Sequence, residues 1–245
     1  MITENAMVLA AGLGTRLRPI TDTIPKPLVR VAGKPLIDYA LDLLTAAGCR
    51  RCAVNVHHLA GQLIEHLSRR KIPEIIISDE TQGLLNSGGG LVKGLKLLPE
   101  GPVFVMNADL FWIGEKPDEP SNLQRLAGFF DPERMDMAML CVRIADTTGH
   151  DGKIDFNLGA DGRLTRYNPE NEGEGVVYAG AMVLDSRLFR DAPEGPFNLN
   201  IYFDRAIAAG RLYGTILEGH WITVGTPEAI GLAEAAIGEW RGELR

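Results

Sequence analysis

The chain has 245 residues, 45% of them hydrophobic and 23% charged, the usage of a globular protein able to bury a sizeable core. A formal net charge of -7 argues against a protein that tracks a nucleic-acid backbone, which needs a basic face, although a phosphate site needs only a few local donors. No apolar stretch reaches the length of a membrane span, and Met1 to Asn5 carry no basic or apolar leader pattern, so a cytoplasmic protein without nucleic-acid or membrane partners is expected.

Short apolar runs alternate with helical patterns through the first half. Met7–Ala11 reads as a strand and Pro35–Ala47 as an amphipathic helix ended by Gly48. A strand at Cys52–Val56, a helix at Leu59–Ser68, a strand at Glu74–Ser78, a helix at Ser87–Leu98 and a buried strand at Pro102–Asn107 follow. This rhythm predicts a mostly parallel sheet flanked by helices. Ligands of such sheets lie beyond the carboxyl ends of the strands, so the loops after Ala11, Ser78 and Asn107 are expected to share one crevice. The second half has antiparallel character: Ala138–Ala145, Lys153–Asn157, Leu164–Tyr167 and Val176–Leu184 are strand-like, divided by Asp151-Gly152 and Asp161-Gly162 turns. Helices at Leu199–Ala209 and Pro227–Glu239 bracket strand-like pieces at Leu212–Leu217 and Trp221–Val224. Phe111–Pro120, with Trp112, reads as a lid or an interface. No linker or repeat divides the chain, which is read as one α/β domain, 1–245, with a small antiparallel lobe after about residue 135.

Cys49, Cys52 and Cys141 are odd in number. The C-x-x-C spacing of the first two is open to a redox or zinc reading, but Cys52 begins a strand and no second pair completes a zinc site, which favours packing thiols.

The strongest signal is LAAGLGTRLRPITDTIPKPL, Leu9 to Leu28. A glycine loop opens where a buried strand ends. Gly12 and Gly14 permit close backbone approach, with main-chain N–H groups available to phosphate. Leu17 occupies the third glycine position of a dinucleotide fingerprint and no Gly-Lys-Ser/Thr follows, which disfavours a dehydrogenase and a P-loop enzyme. Arg16 offers a planar fork for phosphate oxygens and Lys26 a point charge, its backbone stiffened by Pro25 and Pro27. Asp109, after the strand ending at Asn107, is either a turn cap or a carboxylate for magnesium. Ser87 to Gly90 is either a helix N-terminus with glycines open to a base edge or an N-capped flexible loop. Tyr178 reads equally as a half-buried strand aromatic.

The Leu9–Leu28 segment resembles the signature of the nucleotide-sugar pyrophosphorylases, the sugar-1-phosphate nucleotidylyltransferases: L-A-A-G-x-G-T-R followed by P-K-P. Ser87-Gly88-Gly89-Gly90, Asn107-Ala108-Asp109, Tyr178-Ala179-Gly180 and Trp221 through Thr226 fall in that family's order. Within it the chain most resembles the short, single-domain N-acetylmuramate-1-phosphate uridylyltransferases of peptidoglycan recycling. The resemblance implies a Rossmann-like nucleotidyltransferase fold, with a nucleotide-binding half over about 1–135 and a sugar-binding half over about 136–245. It implies Arg16, Lys26 and Asp109 as catalytic residues, Ala11, Gly12, Gly14, Thr15, Glu80 and Gly88 at the nucleotide, and Asn107, Asp155, Tyr178 and Gly180 at the sugar. Mg2+ on Asp109 is the implied cofactor, a nucleoside triphosphate and a sugar 1-phosphate are the implied partners, and a monomer or small homo-oligomer is expected.

Two departures from the family pattern stand out. Asn168-Pro169 replaces the Glu-Lys-Pro of hexose-specific relatives. Thr223 occupies the position of the second metal carboxylate in Trp-x-Asp-Val-Gly-Thr, which leaves Asp109 with phosphates and water, or another carboxylate such as Asp204, to hold the metal. Arg143, Lys153 and Arg166 are candidate cations for a lactyl carboxylate. The expected reaction joins UTP and N-acetylmuramate 1-phosphate with release of pyrophosphate. The alternatives are a mannose-1-phosphate guanylyltransferase and a catalytically idle nucleotide-binding module. The histidines, at 57, 58, 66, 150 and 220, form no metal motif.

Overall fold

Alternation of buried side chains along short aliphatic strands builds a sheet covered on both faces. The computed structural model describes residues 3–243, with side chains described through residue 240. In chain order the strands of the first half are β1 (Asn5–Leu9), β2 (Arg30–Val31), β3 (Lys34–Pro35), β4 (Arg51–Val56), β5 (Glu74–Asp79), β6 (Pro102–Asn107) and β7 (Leu110–Ile113). Their helices are α1 (Leu36–Ala46), α2 (Ala60–Leu67) and α3 (Asn86–Leu95). The second half adds α4 (Asn122–Phe129), β8 (Met137–Val142), β9 (Thr147–Thr148), β10 (Phe156–Leu158), β11 (Leu164–Arg166) and β12 (Glu174–Asp185). It closes with α5 (Asn200–Ala208), β13 (Leu212–Ile216), β14 (His220–Thr223) and α6 (Pro227–Glu243).

The main sheet runs β11-β10-β12-β6-β1-β4-β5, with β8 paired to β12 and β13 to β8. β6, β1, β4 and β5 are parallel neighbours, Met7 lying opposite both Ala53 and Val105. β12 runs antiparallel to β6, so the antiparallel strands of the second half continue the same sheet. On one face Val8, Val54, Phe104 and Met106 pack with Ile37 and Leu41 of α1, Leu63 of α2 and Leu126 of α4. On the other, Met7, Ala53, Val103 and Val105 pack with Leu91 of α3 and Phe203 of α5. Adjacent residues face opposite cores, as a period of two requires. A third cluster joins Leu17, Leu36, Phe111 and Ile222 to Ala233 and Ile237 of α6.

From β1 the chain moves to β4 and β5 on one side, then returns to β6 on the other. The loops after β1 and β6 therefore flank the topological switch point, where open α/β sheets leave a crevice.

Three expectations change. Within Phe111–Pro120, residues 111–113 form an interface inside the chain: β7 pairs antiparallel with β14, Trp112 lies opposite Trp221, and both are buried, while 114–120 runs on as a loop. The strand expected at Lys153–Asn157 begins later, at Phe156, because Lys153 sits in an exposed turn whose carbonyl meets His150 Nε2 at 2.7 Å. α4 adds a helix that the apolar pattern does not predict, although Ser121 and Gln124 form a capping box that closes its first turn.

Candidate active site

A cleft of about 390 Å³ opens at the carboxyl ends of the parallel strands. Its lining gathers the loop after β1 (Ala10 to Arg16), Asn55 of β4, Leu84, Asn86 and Ser87 after β5, and Asn107 to Asp109 after β6. Just past the sheet, the Ala108 N–H donates to the Leu9 carbonyl at 3.1 Å, tying the β1 and β6 loops together.

The glycine loop is shaped by its own sequence. A side chain at Gly12 would meet nothing within 4 Å, so the crown of the loop is open. Gly14 has φ +63°, and a Cβ there would come within 2.9 Å of Thr21 Cγ2 and 3.0 Å of Lys26 Cβ. Glycine avoids both the strain and the crowding. The Gly14 carbonyl accepts from the Thr21 hydroxyl at 2.8 Å and from Leu17 N at 2.9 Å, which curls the loop back under Lys26.

Lys26 stands between buried Pro25 and Pro27 at the head of a short turn closed by Leu28 N to the Pro25 carbonyl, 2.8 Å. Its Nζ lies 2.5 Å from Asp109 Oδ2, and the two side chains are 13% and 33% exposed. Asp109 is fixed from behind by its carbonyl, which accepts from Val224 N at 3.0 Å. Arg16 is exposed and has no ion pair among the described residues. A Cβ on Gly225 would come within 3.3 Å of Arg16 Nη2, so the guanidinium rests where that glycine leaves space. The cleft thus presents two cations, open main-chain amides and one carboxylate, Asp109. That set suits a polyphosphate chain, with a hard cation shared between carboxylate and phosphate oxygens. No group of three or more His, Cys, Asp or Glu side chains able to hold a metal occurs among the described residues.

Of the residues singled out from sequence, Ala11, Gly12, Gly14, Thr15, Arg16, Lys26, Asn107 and Asp109 line the cleft together. Glu80 lies behind its wall, 1% exposed. Gly88 is buried: its N–H donates to the Phe197 carbonyl at 2.9 Å, and a Cβ would overlap the Phe197 ring. The other glycines read as open to a base edge are also closely packed, Gly89 against the Gly195 carbonyl and Gly90 against Glu80 and Asn55.

Asp155, Tyr178 and Gly180 cluster where β12 breaks register between Tyr178 and Met182. Asp155 Oδ2 accepts from Tyr178 N at 2.9 Å, while the Tyr178 ring packs edge-on against Phe203, centroids 5.8 Å apart. Burial pushes the Tyr178 phenol above its ordinary range, with Cys141 and Asp155 adding to the effect. Gly180, at φ +69°, turns the bulge towards the cleft, where a Cβ would come within 3.1 Å of Asn107 Nδ2 and strike Leu110. Trp221 Nε1 donates to the Ala179 carbonyl at 3.0 Å and holds the bulge in place.

Thr223 ends β14 opposite Leu110 and does not line the cleft. Asp204, the other carboxylate considered, pairs with Arg166 at 2.8 Å, and Arg143 pairs with Glu174 at 2.6 Å. Both arginines are exposed and paired with carboxylates of the chain itself, and Lys153 has no ion pair among the described residues. Cys49, Cys52 and Cys141 are free and buried, as packing thiols would be. Asn55 escapes the motif reading. Its signal is a polar side chain inside an apolar strand, which requires a partner when buried.

Residues 5–239 match the family described as nucleotidyl transferase. The chain is 43% identical over 238 residues to the N-acetylmuramate alpha-1-phosphate uridylyltransferase of Caulobacter vibrioides, covering 96% of this chain and 97% of that one. It is 38% identical over 228 residues to the mannose-1-phosphate guanylyltransferase catalytic subunit beta of Drosophila melanogaster, covering 91% of this chain and 60% of that one. Its fold matches the crystal structure of HddC from Yersinia pseudotuberculosis complexed with GMP-PN, with a TM-score of 0.76, 21% identity and coverage of 97% and 100%. No described helix is long and apolar enough to cross a membrane. With the family matched over nearly the whole sequence, and with glycine loop, Arg16, Lys26 and Asp109 converging on one cleft, the chain belongs to the nucleotidyl transferase family.

Proposed function

We propose that the chain transfers the uridylyl group of UTP to N-acetylmuramate 1-phosphate, releasing pyrophosphate and forming UDP-N-acetylmuramate in the cytoplasm. Likeness to the Caulobacter uridylyltransferase over essentially the full length of both chains carries the choice of substrates. The guanylyltransferase relative extends well beyond the region shared with this chain.

The cleft chemistry supports a direct displacement. An oxygen of the sugar phosphate attacks the α-phosphorus in line, forming a new P–O bond. The bond from the α-phosphorus to the oxygen bridging the β-phosphorus breaks, and that electron pair leaves with pyrophosphate. A phosphomonoester is largely dianionic near neutral pH, its second pKa being about 6, so the nucleophile needs no general base. Among the cleft-lining residues no His or Cys stands ready as a nucleophile or base. Catalysis rests on alignment and on charge neutralisation, with Arg16 and the open loop amides at the triphosphate and Lys26 at the reacting phosphate.

Magnesium fits this donor set. Asp109 is an oxygen ligand beside the phosphate-binding loop, and magnesium uses one or two carboxylates together with substrate phosphates. Asp109 would hold it, and Lys26 would then exchange its ion pair with Asp109 for a phosphate oxygen. Bound there, the ion supplies neutralisation of phosphate charge.

The test is pyrophosphate release with magnesium, each of four nucleoside triphosphates, and N-acetylmuramate 1-phosphate or mannose 1-phosphate. Release with UTP and the muramate alone is expected. Release with GTP and mannose 1-phosphate would replace this reading with the guanylyltransferase. The neutral Thr223 favours one further reading, an idle nucleotide-binding module, whose signature is UTP binding without turnover on any sugar phosphate.

A further inference from the structure

Along the cleft wall a chain of hydrogen bonds, running from Asn55 in the lining to Glu80 behind it, links two loops that do not touch in sequence. Ala10 N donates to Asn55 Oδ1 at 2.6 Å, Asn55 Nδ2 donates to Glu80 Oε1 at 2.7 Å, and Leu85 N donates to Glu80 Oε2 at 3.0 Å. Asn55 is 3% exposed and Glu80 1%. The orientation of the Asn55 amide is dictated, because a main-chain N–H can only donate and the atom facing Ala10 must be oxygen. Nδ2 is then directed at the carboxylate, which can accept from both neighbours.

Every link has a consequence for the cleft. Ala10 begins the glycine loop, and Leu85 sits between Leu84 and Asn86, which line the cleft beside it. Asn86 itself has φ +58°, the left-handed region that asparagine tolerates better than most residues, and its loop has support from outside. That support comes from Glu80 on Leu85 N and from Phe197 N on the Leu85 carbonyl at 3.2 Å. Space for the relay is also built in: a Cβ on Gly90 would lie 2.6 Å from Glu80 Oε1 and 2.7 Å from Asn55 Nδ2.

We propose that Asn55 and Glu80 are positioning residues that set the separation of the two loops enclosing the nucleotide, and so govern triphosphate affinity rather than sugar-phosphate affinity. The inference rests on the proposed function. It assigns the relay to the nucleotide because the β1 and β5 loops form one side of the cleft. Asn107 and Gly180, which face each other across β6 and β12, lie on the other side.

The relay can be reversed by chemistry alone. In Asn55→Asp two carboxylates face each other. In Glu80→Gln the new N–H₂ meets one of two donors, whichever way the amide turns. In the double variant the carboxylate introduced at position 55 would accept from Ala10 N and from the amide introduced at position 80, whose oxygen would accept from Leu85 N. Every bond is then restored with the net charge unchanged. UTP binding by calorimetry, KM for each substrate, kcat and the melting temperature are measured on the four proteins. Each single variant is expected to weaken UTP binding by about tenfold or more, the effect of one unmatched buried polar group, with the KM for sugar phosphate little changed. The double variant is expected to recover UTP binding to within about threefold of wild type. Gly90→Ala presses on the relay without altering its polar atoms and is expected to show the same selective loss. Wild-type UTP affinity in both single variants overturns the proposal. So does equal weakening towards both substrates with no recovery in the double variant. Failure of the unaltered chain to bind UTP overturns instead the functional reading on which the proposal rests.

Discussion

Replacing Lys26 with alanine separates a catalytic role from a structural one. In the folded chain Nζ is paired with Asp109 Oδ2 at 2.5 Å, with Lys26 nearly buried and Asp109 one-third exposed. Removing one partner of a fully buried pair costs about 3–5 kcal/mol, whereas an exposed pair contributes about 0–1 kcal/mol. Water reaches Asp109 once the ammonium is gone, so the cost falls near the lower range, at about 1 kcal/mol. For a chain of this length that lowers the melting temperature by about 2–4 °C. Loss of one preorganised charge contact at the reacting phosphate costs far more in rate, roughly 10²–10³-fold in kcat. A pyrophosphate-release assay beside a thermal melt reads both quantities on one preparation. A rate within about threefold of the unaltered protein, against the 10²–10³-fold loss expected for such a contact, would refute the assignment of Lys26. A loss of activity accompanied by wholesale unfolding would refute the claim that Asp109 is readily solvated.

Other perturbations test the frame around the site. Trp221→Phe removes the indole donor from the buried Ala179 carbonyl and should destabilise the chain by about 1–3 kcal/mol in urea unfolding; no change would mean that the bulge is held by other contacts. Asp185, hydrogen-bonded by the Arg187 side chain and its N–H, has a pKa held below the ordinary carboxylate value despite opposing burial. Its stabilisation is complete above the unfolded value of about 3.9 and is lost as pH falls through the lower folded value. Asp185→Asn should therefore lower the melting temperature at neutral pH but make little difference at strongly acidic pH. An equal effect at both would count against that linkage. Burial raises the thiol pKa of Cys49 to about 12 and pushes Cys52 and Cys141 higher still. A thiol reagent at pH 8 should label none of the 3 cysteines in the folded protein and all of them in urea; rapid labelling of the native chain would disprove the packing.

Local chemistry makes much of the fold readable from the sequence. The strand–helix alternation from Met7 to Asn107 is legible because buried parallel strands must be continuous apolar runs, and the helices between them carry one apolar stripe. What escapes is non-local. The Leu110–Ile113 run gives no sign of its partner, because β14 lies more than a hundred residues away in sequence, where α6 packs against both Phe111 and Ile222. The helix at Asn122–Phe129 does announce itself through Ser121 and Gln124, but its low overall hydrophobicity hides the stripe of Leu123, Leu126 and Ala127.

The site divides along the same line. Residues that act through their own sequence context are legible: the glycine loop needs left-handed backbone at Gly14, and Pro25 and Pro27 stiffen the backbone that carries Lys26. Residues that act through a distant partner are not. The run of glycines at 88–90 reads either as a helix N-terminus open to a base edge or as a flexible loop, yet each sits in a space bounded by a separate part of the chain: Phe197, the Gly195 carbonyl, and the Asn55–Glu80 pair. Glu80 reads as a loop residue because nothing near it in sequence accounts for its charge. Its burial makes sense only beside Asn55, 25 residues earlier. Asn55 in turn is the one polar side chain in the run Cys52–Val56, where an unpaired amide would be costly. A polar residue within an apolar strand and an acidic residue at the end of the next parallel strand therefore form a linked pair. The sequence holds both members, and the parallel register of β4 and β5 brings them together.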